Sequence, residues 1–380
     1  MPNVLTNLIP DLYQSLDVVS RELVGCIPSV ARNSSAERAA VGEAVIVPIS
    51  VPGSAADVSP AMAVPEPSDF STDTTAIKIT KSRAVSFGLT GEEYRGLENG
   101  VGANSILQGN IQQALRTLCN EIEQDCCKEV AENAGAVYGT AGTTPFASSL
   151  ADAAEVRKIL DDAGAPAGER SLVIDTSAGV NLRKLTQLTN VNQAGTSMTL
   201  RQGELLPLFN LSVKESAGVK QIAAGTATGL TVKVATKGAK ELEAKAVTSG
   251  ALKVGDIITI AGDSTKYTVT AIPASLAANA KFSVSPGLAK ATTDGAAVTV
   301  ASDSTRNIAF TRDAIQLVTR APALPGGRDA AVDAMMLTDP RSGLSFEVRV
   351  YNGYRKMRME VACAWGVKNI KPEHTVTLLG

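Results

Sequence analysis

The clearest periodicity in the chain is an apolar stripe that predicts one long helix between Asn104 and Gly135. Apolar residues recur every three or four positions, which places them on one face of an α-helix. Its members are Leu107, Ile111, Leu115, Leu118, Ile122, Cys126 and Val130. Asn104 is a suitable N-cap and Gly135 a suitable stop. At 1.5 Å per residue this helix would be about 48 Å long, so it could serve as the backbone of the fold.

Before this helix, the pattern changes from a short helix to an extended arm. Apolar spacing predicts a helix over residues 10–25 that is too short to be stable alone. A strand at Val45–Ile49 is followed by a proline-rich stretch at 51–75, a length that is unusual for a loop in a compact domain. Strand alternation resumes over 77–87. The segment therefore predicts a hairpin arm that runs out along one strand and back along another.

After the helix, an α/β segment gives way to a block of short β patterns. Ser171–Thr176 predicts a buried strand followed by a helix. From 221 to 303 small and β-branched residues dominate, and no arginine occurs between Arg201 and Arg306. Turn residues separate the short alternations, which favours a small barrel or sandwich. The stretch ALKVGDIITIAGDSTKYTVT, residues 251–270, is its clearest hairpin.

The chain beyond Arg306 returns to a mixed pattern and ends in two or three long strands that read as antiparallel. A block whose two ends leave and rejoin the same host is typical of a domain inserted into another domain. The expected fold class is therefore α+β with an inserted all-β, barrel-like domain.

Composition narrows the classes of function. The formal net charge is −2, which argues against a dedicated nucleic-acid binder. Aromatic residues make up only 4% of the chain, so we expect partner surfaces to complete its stability. The N-terminus lacks a signal-peptide pattern, and no apolar run approaches the roughly 20 residues that span a bilayer. We expect a soluble protein made inside the cell, with its five cysteines reduced.

The candidate nucleophiles and metal ligands form no recognisable catalytic pattern. His374 is the only histidine, so multi-histidine metal sites are excluded and a histidine-dependent nucleophile has one remote partner. Cys126 and Cys127 are adjacent, which suits neither a disulfide nor a tetrahedral metal site. We expect Cys126 to be buried and Cys127 to be partly exposed, and we expect no cofactor.

Two charged clusters also predict ordinary surfaces. Glu121, Glu123 and Asp125 are two apart on the helix, so they do not face one another, and a solvated or intersubunit face is expected. The basic stretch YRKMRMEV at 354–361 predicts an edge strand with ordinary surface charges.

Four stretches make the sequence resemble a known family. They are TATGLTVKVA from Thr226, ALKVGDIITIAG from Ala251, NIAFTRDAIQLVTRAP from Asn307 and AWGVKNIKPE from Ala364. In these stretches and in the order of its elements, the chain resembles the major capsid (coat) proteins of tailed bacteriophages, which share the HK97-like fold. It is most similar to the short-tailed phage P22-type subfamily, whose members carry an insertion domain. The likeness covers nearly the whole chain.

The resemblance implies a division of the chain into six parts. They are an N-terminal arm (1–40), a strand and E-loop region (41–103), the P-domain spine helix (104–147), part of the A-domain (148–220), the inserted β domain (221–303), and the A-domain return with the C-terminal P-domain strands (304–380).

The resemblance also implies a structural subunit without catalysis or cofactor. It would self-assemble into the hexamers and pentamers of an icosahedral head that encloses phage dsDNA. The implied partners are further copies of the chain, a scaffolding protein during assembly, a portal protein at one vertex and packaged dsDNA held non-specifically, with no membrane. The implied location is the virion, after assembly in the cytoplasm of the bacterial host.

Candidate assembly contacts fall at two places. In related proteins, acidic residues of the N-arm meet the scaffolding protein, which points to Asp17 and Glu22 here. In the β block, the charged and turn-like segment 237–245 is the candidate contact with a neighbouring subunit. Its charged candidates are Lys237, Lys240, Glu241 and Lys245.

Three other functions fit parts of the sequence. An encapsulin-like compartment shell shares the fold but usually lacks a β insertion. A β-rich adhesin or binding protein would need export. A hydrolase would have to use Cys127 or Ser342 as its nucleophile.

Overall fold

The computed structural model describes residues 25–49, 57, 58, 60, 73–98, 103–190, 192, 198–327, 329–338 and 343–380. The helix predicted before Gly25 and nearly all of the proline-rich stretch lie outside these residues. The described part is an α+β structure in which strands outnumber helices.

The strands and helices are numbered in chain order. The strands are β1 (Ala31–Ala39), β2 (Ala44–Ile49), β3 (Asp73–Lys78), β4 (Lys81–Thr90), β5 (Ala136–Gly139), β6 (Arg170–Ile174), β7 (Ser212–Glu215), β8 (Gln221–Ile222), β9 (Thr231–Val232), β10 (Glu241–Ala246), β11 (Ile257–Ile260), β12 (Lys266–Ala271), β13 (Lys281–Ser285), β14 (Ala296–Val300), β15 (Ser304–Thr311), β16 (Ile315–Pro322), β17 (Asp333–Thr338), β18 (Ser345–Gly353), β19 (Lys356–Asn369) and β20 (Thr375–Leu379). The α-helices are α1 (Gly91–Glu98), α2 (Ala103–Glu132), α3 (Ala151–Asp162), α4 (Thr176–Lys184), α5 (Thr186–Thr189) and α6 (Met198–Gln202), and short 3₁₀ turns cover Ile27–Ser29, Arg312–Ala314, Pro325–Gly327 and Pro372–His374.

The strands form two large sheets, a barrel and a separate hairpin. The first sheet has the order β1-β16-β19-β18-β17, and β4 also pairs with β19. The second has the order β5-β20-β15-β6-β7, and β8 also pairs with β15. Strands β2 and β3 pair with each other as a two-stranded sheet.

The long helix α2 connects the two large sheets through one apolar core. It runs over Ala103–Glu132, which confirms the predicted helix and ends it three residues before the predicted stop at Gly135. Its stripe residues Ile111, Leu115 and Ile122 are fully buried. They share a core with Phe310 of the second sheet and with Trp365 and other residues of the first. Each buried aliphatic side chain contributes about 1.5–3 kcal/mol to stability, so this stripe fixes both sheets to one axis.

The β block forms a closed barrel with the strand order β10-β13-β12-β11-β14-β9. The hairpin predicted at 251–270 is confirmed, because β11 pairs with β12 and places Ile258 opposite Tyr267. Ile258, Tyr267 and Val269 are buried inside the barrel. Every barrel strand lies between residues 231 and 300, so the barrel has a core of its own.

One barrel strand was not predicted from the sequence. The segment 237–245 was expected to be turn-like, but Glu241–Ala246 is strand β10. Leu242 and Ala244 alternate into the barrel core while Glu241 and Lys245 face outward. The prediction failed because the charged residues occupy the solvent side of a half-buried strand, where they obscure the short apolar alternation.

The chain enters and leaves the barrel at one place. Strand β8 before the barrel pairs with β15 after it, with Ser304 opposite Ile222. The backbone N–H of Ala224 donates to Asp303 Oδ1 at 2.8 Å. On the host side, Lys266 Nζ of the barrel donates to the carbonyl of Gly139. The proposed boundaries of an inserted domain, 221 and 303, stay a prediction.

Strand β1 was also not predicted. It lies within the segment assigned to the N-terminal arm, yet it pairs in parallel with β16 in the first sheet. Its sequence, ARNSSAERA, has no hydrophobic alternation to identify it. Arg38 of this strand pairs with the buried Glu347 at 2.5 Å, so the strand is held at the sheet edge partly by charge.

We expect Leu115→Asp to prevent stable folding, since it places an unpaired charge in the core that α2 shares with both sheets. The loss should be roughly 3 kcal/mol or more. Soluble yield and the cooperativity of urea unfolding would measure it. The matched control is Asn120→Asp on the exposed side of the same helix, which should change stability by no more than about 0.5 kcal/mol. Normal yield and stability of Leu115→Asp would contradict the packing described for α2.

We also expect a fragment of residues 221–303 to unfold as one cooperative unit, because the barrel strands close on each other around their own core. Circular dichroism and calorimetry during heating would measure this, with agreement of the calorimetric and van't Hoff enthalpies as the criterion. A broad, non-cooperative transition would show that the barrel depends on the host.

Candidate functional site

The cysteines considered as catalytic nucleophiles lie in the interior of the described part of the protein. All five cysteines are buried, Cys127 among them, so the expectation that Cys127 would be partly exposed is wrong. Burial raises the pKa of the Cys26, Cys126 and Cys363 thiols, which disfavours the thiolate that acts as a nucleophile. Burial lowers the pKa of His374. Ser342 lies outside the described residues.

The acidic residue Glu123 is buried, which contradicts the expected solvated or intersubunit face. Its Oε1 accepts the backbone N–H groups of Gly25 at 2.8 Å and Cys26 at 2.7 Å, and the Ser216 hydroxyl at 2.6 Å. Its Oε2 accepts the backbone N–H of Ile27 at 2.9 Å. These four donors satisfy a buried carboxylate that would otherwise be costly to remove from water. Glu123 therefore fastens residues 25–27, and Ser216, to α2.

The same carboxylate lies in a group that has the composition of a metal site. The sulfur atoms of Cys26 and Cys127 and an oxygen of Glu123 all lie within 4.8 Å of one another. Four hydrogen bonds already occupy the acceptor sites of the carboxylate, which offers about four in total. The observed bonding thus satisfies Glu123 without a cation, and the group is best described as a structural anchor.

The neighbouring acids of α2 also bind parts of the same chain. Asp125 Oδ1 accepts from Lys81 Nζ at 2.7 Å, and its Oδ2 accepts from the indole N–H of the buried Trp365 at 2.8 Å. Glu121 lies 3.6 Å from Arg83 and is more exposed. Glu129 accepts the backbone N–H of Asn369 at 3.2 Å, and burial raises the pKa of its carboxyl group. These acids hold the first sheet on the helix.

The four candidate contact residues of the barrel all lie on its outer surface. Glu241 pairs with Lys281 at 2.7 Å, and Lys245 pairs with Asp294 at 2.5 Å. Within the described residues, neither Lys237 nor Lys240 has an ion-pair partner. Exposed pairs of this kind contribute about 0–1 kcal/mol, so all four side chains remain available for a contact at little cost.

Lys240 also lies at the join between barrel and host. It lines a cleft of about 640 Å³ together with Pro286 of the barrel and with Glu129, Lys368 and Pro372 of the host. The other two candidate residues, Asp17 and Glu22, lie outside the described residues.

The hairpin arm has one inward and one outward face. Ile77 packs at its base against Val318 and Ala364 of the first sheet. On the outer face, Ile46 stands opposite Ala76 and is 68% exposed. Pro48 and Ala44 share this face. On β3 the same face carries Thr74 and Lys78 beside Ala76, so Ile46 is the large apolar side chain that this face leaves uncovered among the described residues.

The basic stretch differs in part from its prediction. Arg355 has φ of 52° in the turn between β18 and β19, so it does not belong to the strand. Arg358 lies in β19 and pairs with Glu360 at 3.1 Å. These charges lie on the surface, as predicted, but the predicted edge position is wrong, because β18 and β4 pair with the two sides of β19 over this stretch. Among the described helices, none has the length and apolar character needed to cross a lipid bilayer.

We expect Glu123→Gln to lower the free energy of unfolding by about 2 kcal/mol, since an amide nitrogen cannot accept the N–H bonds that a carboxylate oxygen accepts. Urea unfolding would measure the loss, and hydrogen exchange should show faster exchange at the Gly25, Cys26 and Ile27 amides. Glu121→Gln on the same helix is the control and should cost less than about 1 kcal/mol. Equal effects of the two changes would contradict the anchor.

No protein-family model matches the chain, and no curated protein matches it either. Several solved structures are similar in backbone path. The capsid of a native GTA particle is 10% identical over 94% of this chain and 90% of the other, with a TM-score of 0.47. The capsid of cyanophage P-SCSP1u is 13% identical over 92% and 86%, with a TM-score of 0.45. A virus-like particle from Pyrococcus furiosus is 12% identical over 97% and 98%, with a TM-score of 0.44. At these values the likeness assigns neither a fold family nor a function to the chain.

Proposed function

We propose that the chain is a structural subunit of a closed protein shell: a major capsid protein of the tailed-bacteriophage type. The observation that carries this proposal is the exposed Ile46, with Ala44, Pro48 and Ala76 beside it, on the outer face of the β2–β3 arm. The function is assembly, and the site is a set of surfaces that meet further copies of the chain.

The physical argument begins with the limited stability of a two-stranded hairpin. Such a hairpin is marginal in water and needs a further surface to bury an apolar face. The inner face of the arm packs on the first sheet, but the outer face leaves Ile46 68% exposed. In a closed ring of identical subunits, each copy offers the same arm and the same receiving surface, so every outer face can be covered. A neighbouring copy is therefore the proposed occupant.

The order of the elements supports the finer assignment. In chain order the structure has a hairpin arm, a long helix, an α/β segment, a barrel and long C-terminal strands. This is the order on which the sequence resembles the P22-type coat proteins, and it supports an HK97-like fold with an insertion domain. The resemblance further supports hexamers and pentamers around phage dsDNA, a scaffolding protein and a portal as partners, and a virion location after assembly in the host cytoplasm.

The outer surface of the barrel is a second proposed contact. Lys237 and Lys240 are exposed and unpaired among the described residues, while Glu241 and Lys245 have weak partners within the barrel. A neighbouring acidic surface could engage all of the lysines with little loss of internal bonding. In the N-terminal segment, Asp17 and Glu22 remain proposed contacts with a scaffolding protein.

We expect Ile46→Asp to abolish or strongly reduce shell assembly while the chain stays folded. The change places a charge on the arm's outer face, where an assembled neighbour would have to bury it. Sedimentation velocity and electron microscopy would measure assembly, and thermal unfolding of the unassembled chain would measure folding. The control is Val332→Asp, a change at another exposed apolar residue, 52% exposed, outside the arm. Normal shells from Ile46→Asp would refute the role of this face.

Electron microscopy of the wild-type particle also distinguishes the shell types. Large icosahedral heads with a portal vertex support the capsid proposal, whereas small shells without a portal would support an encapsulin-like compartment. A chain that stays monomeric under all assembly conditions would overturn both.

A further inference from the structure

A cavity lies where the barrel joins the host, beside the long helix. Its volume is about 320 Å³, at the lower end of the range of ~300–1,000 Å³ that is common for small-molecule sites. Three parts of the chain form its wall: the second half of α2, the segment 218–222 that leads into the barrel, and Arg306 on the strand that returns from it. A ligand here would contact both connections of the barrel at once.

Arg306 is an unusual residue to find in such a wall. It is only 2% exposed. Within the described part of the chain, its Nε, Nη1 and Nη2 atoms all lack a hydrogen-bond partner. Burial lowers the pKa of Arg306 to about 10, which still leaves it charged at neutral pH. A buried, unpaired charge is strongly unfavourable, so an anion bound to the guanidinium would stabilise the folded protein.

No described carboxylate forms a hydrogen bond with Arg306. Asp256 attracts it only at longer range, and the hydrogen bonds of the Asp256 oxygens go to the backbone N–H groups of Gly225 at 2.8 Å and Lys253 at 2.7 Å. Asp125 in the cavity wall is bound to Lys81 and Trp365, as described above.

The remaining charges of the wall leave a positive excess. Glu132 lies 3.6 Å from Lys128, its own i,i+4 partner. Lys220 is exposed and donates to the neutral Gln124 Oε1 at 3.0 Å, and no described carboxylate pairs with it. The wall thus holds two cations without a carboxylate partner, Arg306 in the interior and Lys220 on the solvent side.

We propose that this cavity binds a small oxyanion, of the phosphate or carboxylate class, with Arg306 as its main ligand and Lys220 at its mouth. A planar guanidinium binds such groups through two parallel N–H···O bonds, a geometry that suits it better than lysine. The bound anion neutralises Arg306 and links the two connections of the barrel, so it holds the barrel in one orientation. This inference does not depend on the proposed shell function.

Inorganic phosphate is the probe, and the full chain is the sample. Isothermal titration calorimetry should show one phosphate site per chain. Phosphate should also raise the unfolding temperature of wild type above that in chloride at equal ionic strength. In Arg306→Met the calorimetric signal and the extra thermal shift should both disappear. Arg306→Lys, which keeps the charge but not the paired donors, should bind at least tenfold more weakly.

The matched control is Arg312→Met, the same chemical change at an arginine that lies outside the cavity wall and pairs with Glu169 at 3.1 Å. It should retain phosphate binding and the full thermal shift, which separates site binding from the general stabilisation that phosphate gives to proteins. If all variants shift equally, or if wild type binds no phosphate, the proposal is wrong.

The stability of Arg306→Met in chloride is an independent test. Replacing an unpaired buried charge by an apolar side chain should leave the unfolding temperature unchanged or raise it. A clear drop would mean that the protein itself already pairs Arg306, which overturns the proposal.

A further comparison distinguishes a free anion from a carboxylate of the chain as the occupant of the cavity. Asp17 and Glu22 precede Gly25, which is bonded to Glu123 on α2 near the cavity. If phosphate binds wild type and the Asp17→Asn, Glu22→Gln double variant alike, the free-anion proposal holds. If phosphate binds only the double variant, the occupant is the chain itself and the proposal fails.

Discussion

Burial of one face of the long helix α2 against both large sheets is the constraint on which the rest of the structure depends. The apolar stripe from Ile111 to Val130 has no solvent exposure at its main positions, so the helix cannot rotate without exposing it. Because the helix is fixed in its orientation about its own axis, the positions of its acidic side chains are fixed as well. Glu123 reaches the segment that begins at Gly25, and Asp125 reaches Trp365. Packing therefore comes first, and the polar contacts follow from it.

This hierarchy explains which features the sequence could reveal. The helix and the β11–β12 hairpin were predicted because their own residues carry the periodicity of three to four or of two. Strand β10 was not, since only Leu242 and Ala244 mark its inner face between charged neighbours. The pattern of a single segment reports a local structure only when enough of its residues face a core.

Long-range polar contacts leave still less trace in a sequence. Glu123 looked like a surface residue because acids on helices usually are, and its donors come from residues nearly a hundred positions away. Strand β1 is likewise identified only by its partner β16. For Arg306 the sequence did carry a signal: it is the first arginine after a long block without any. Its lack of a partner became visible only in the structure.

The local closure of the barrel has a consequence for how the protein is made. All barrel strands lie between residues 231 and 300, so this part can complete its contacts soon after it leaves the ribosome. The two large sheets cannot form so early. Strand β1 pairs with β16, and β5 pairs with β20, so each pair can form only after its second strand has been synthesised. Non-local pairings of this kind fold slowly and leave strand edges open meanwhile. During synthesis, the barrel would thus be folded while the two large sheets are still incomplete, and the strands after the barrel would complete both sheets.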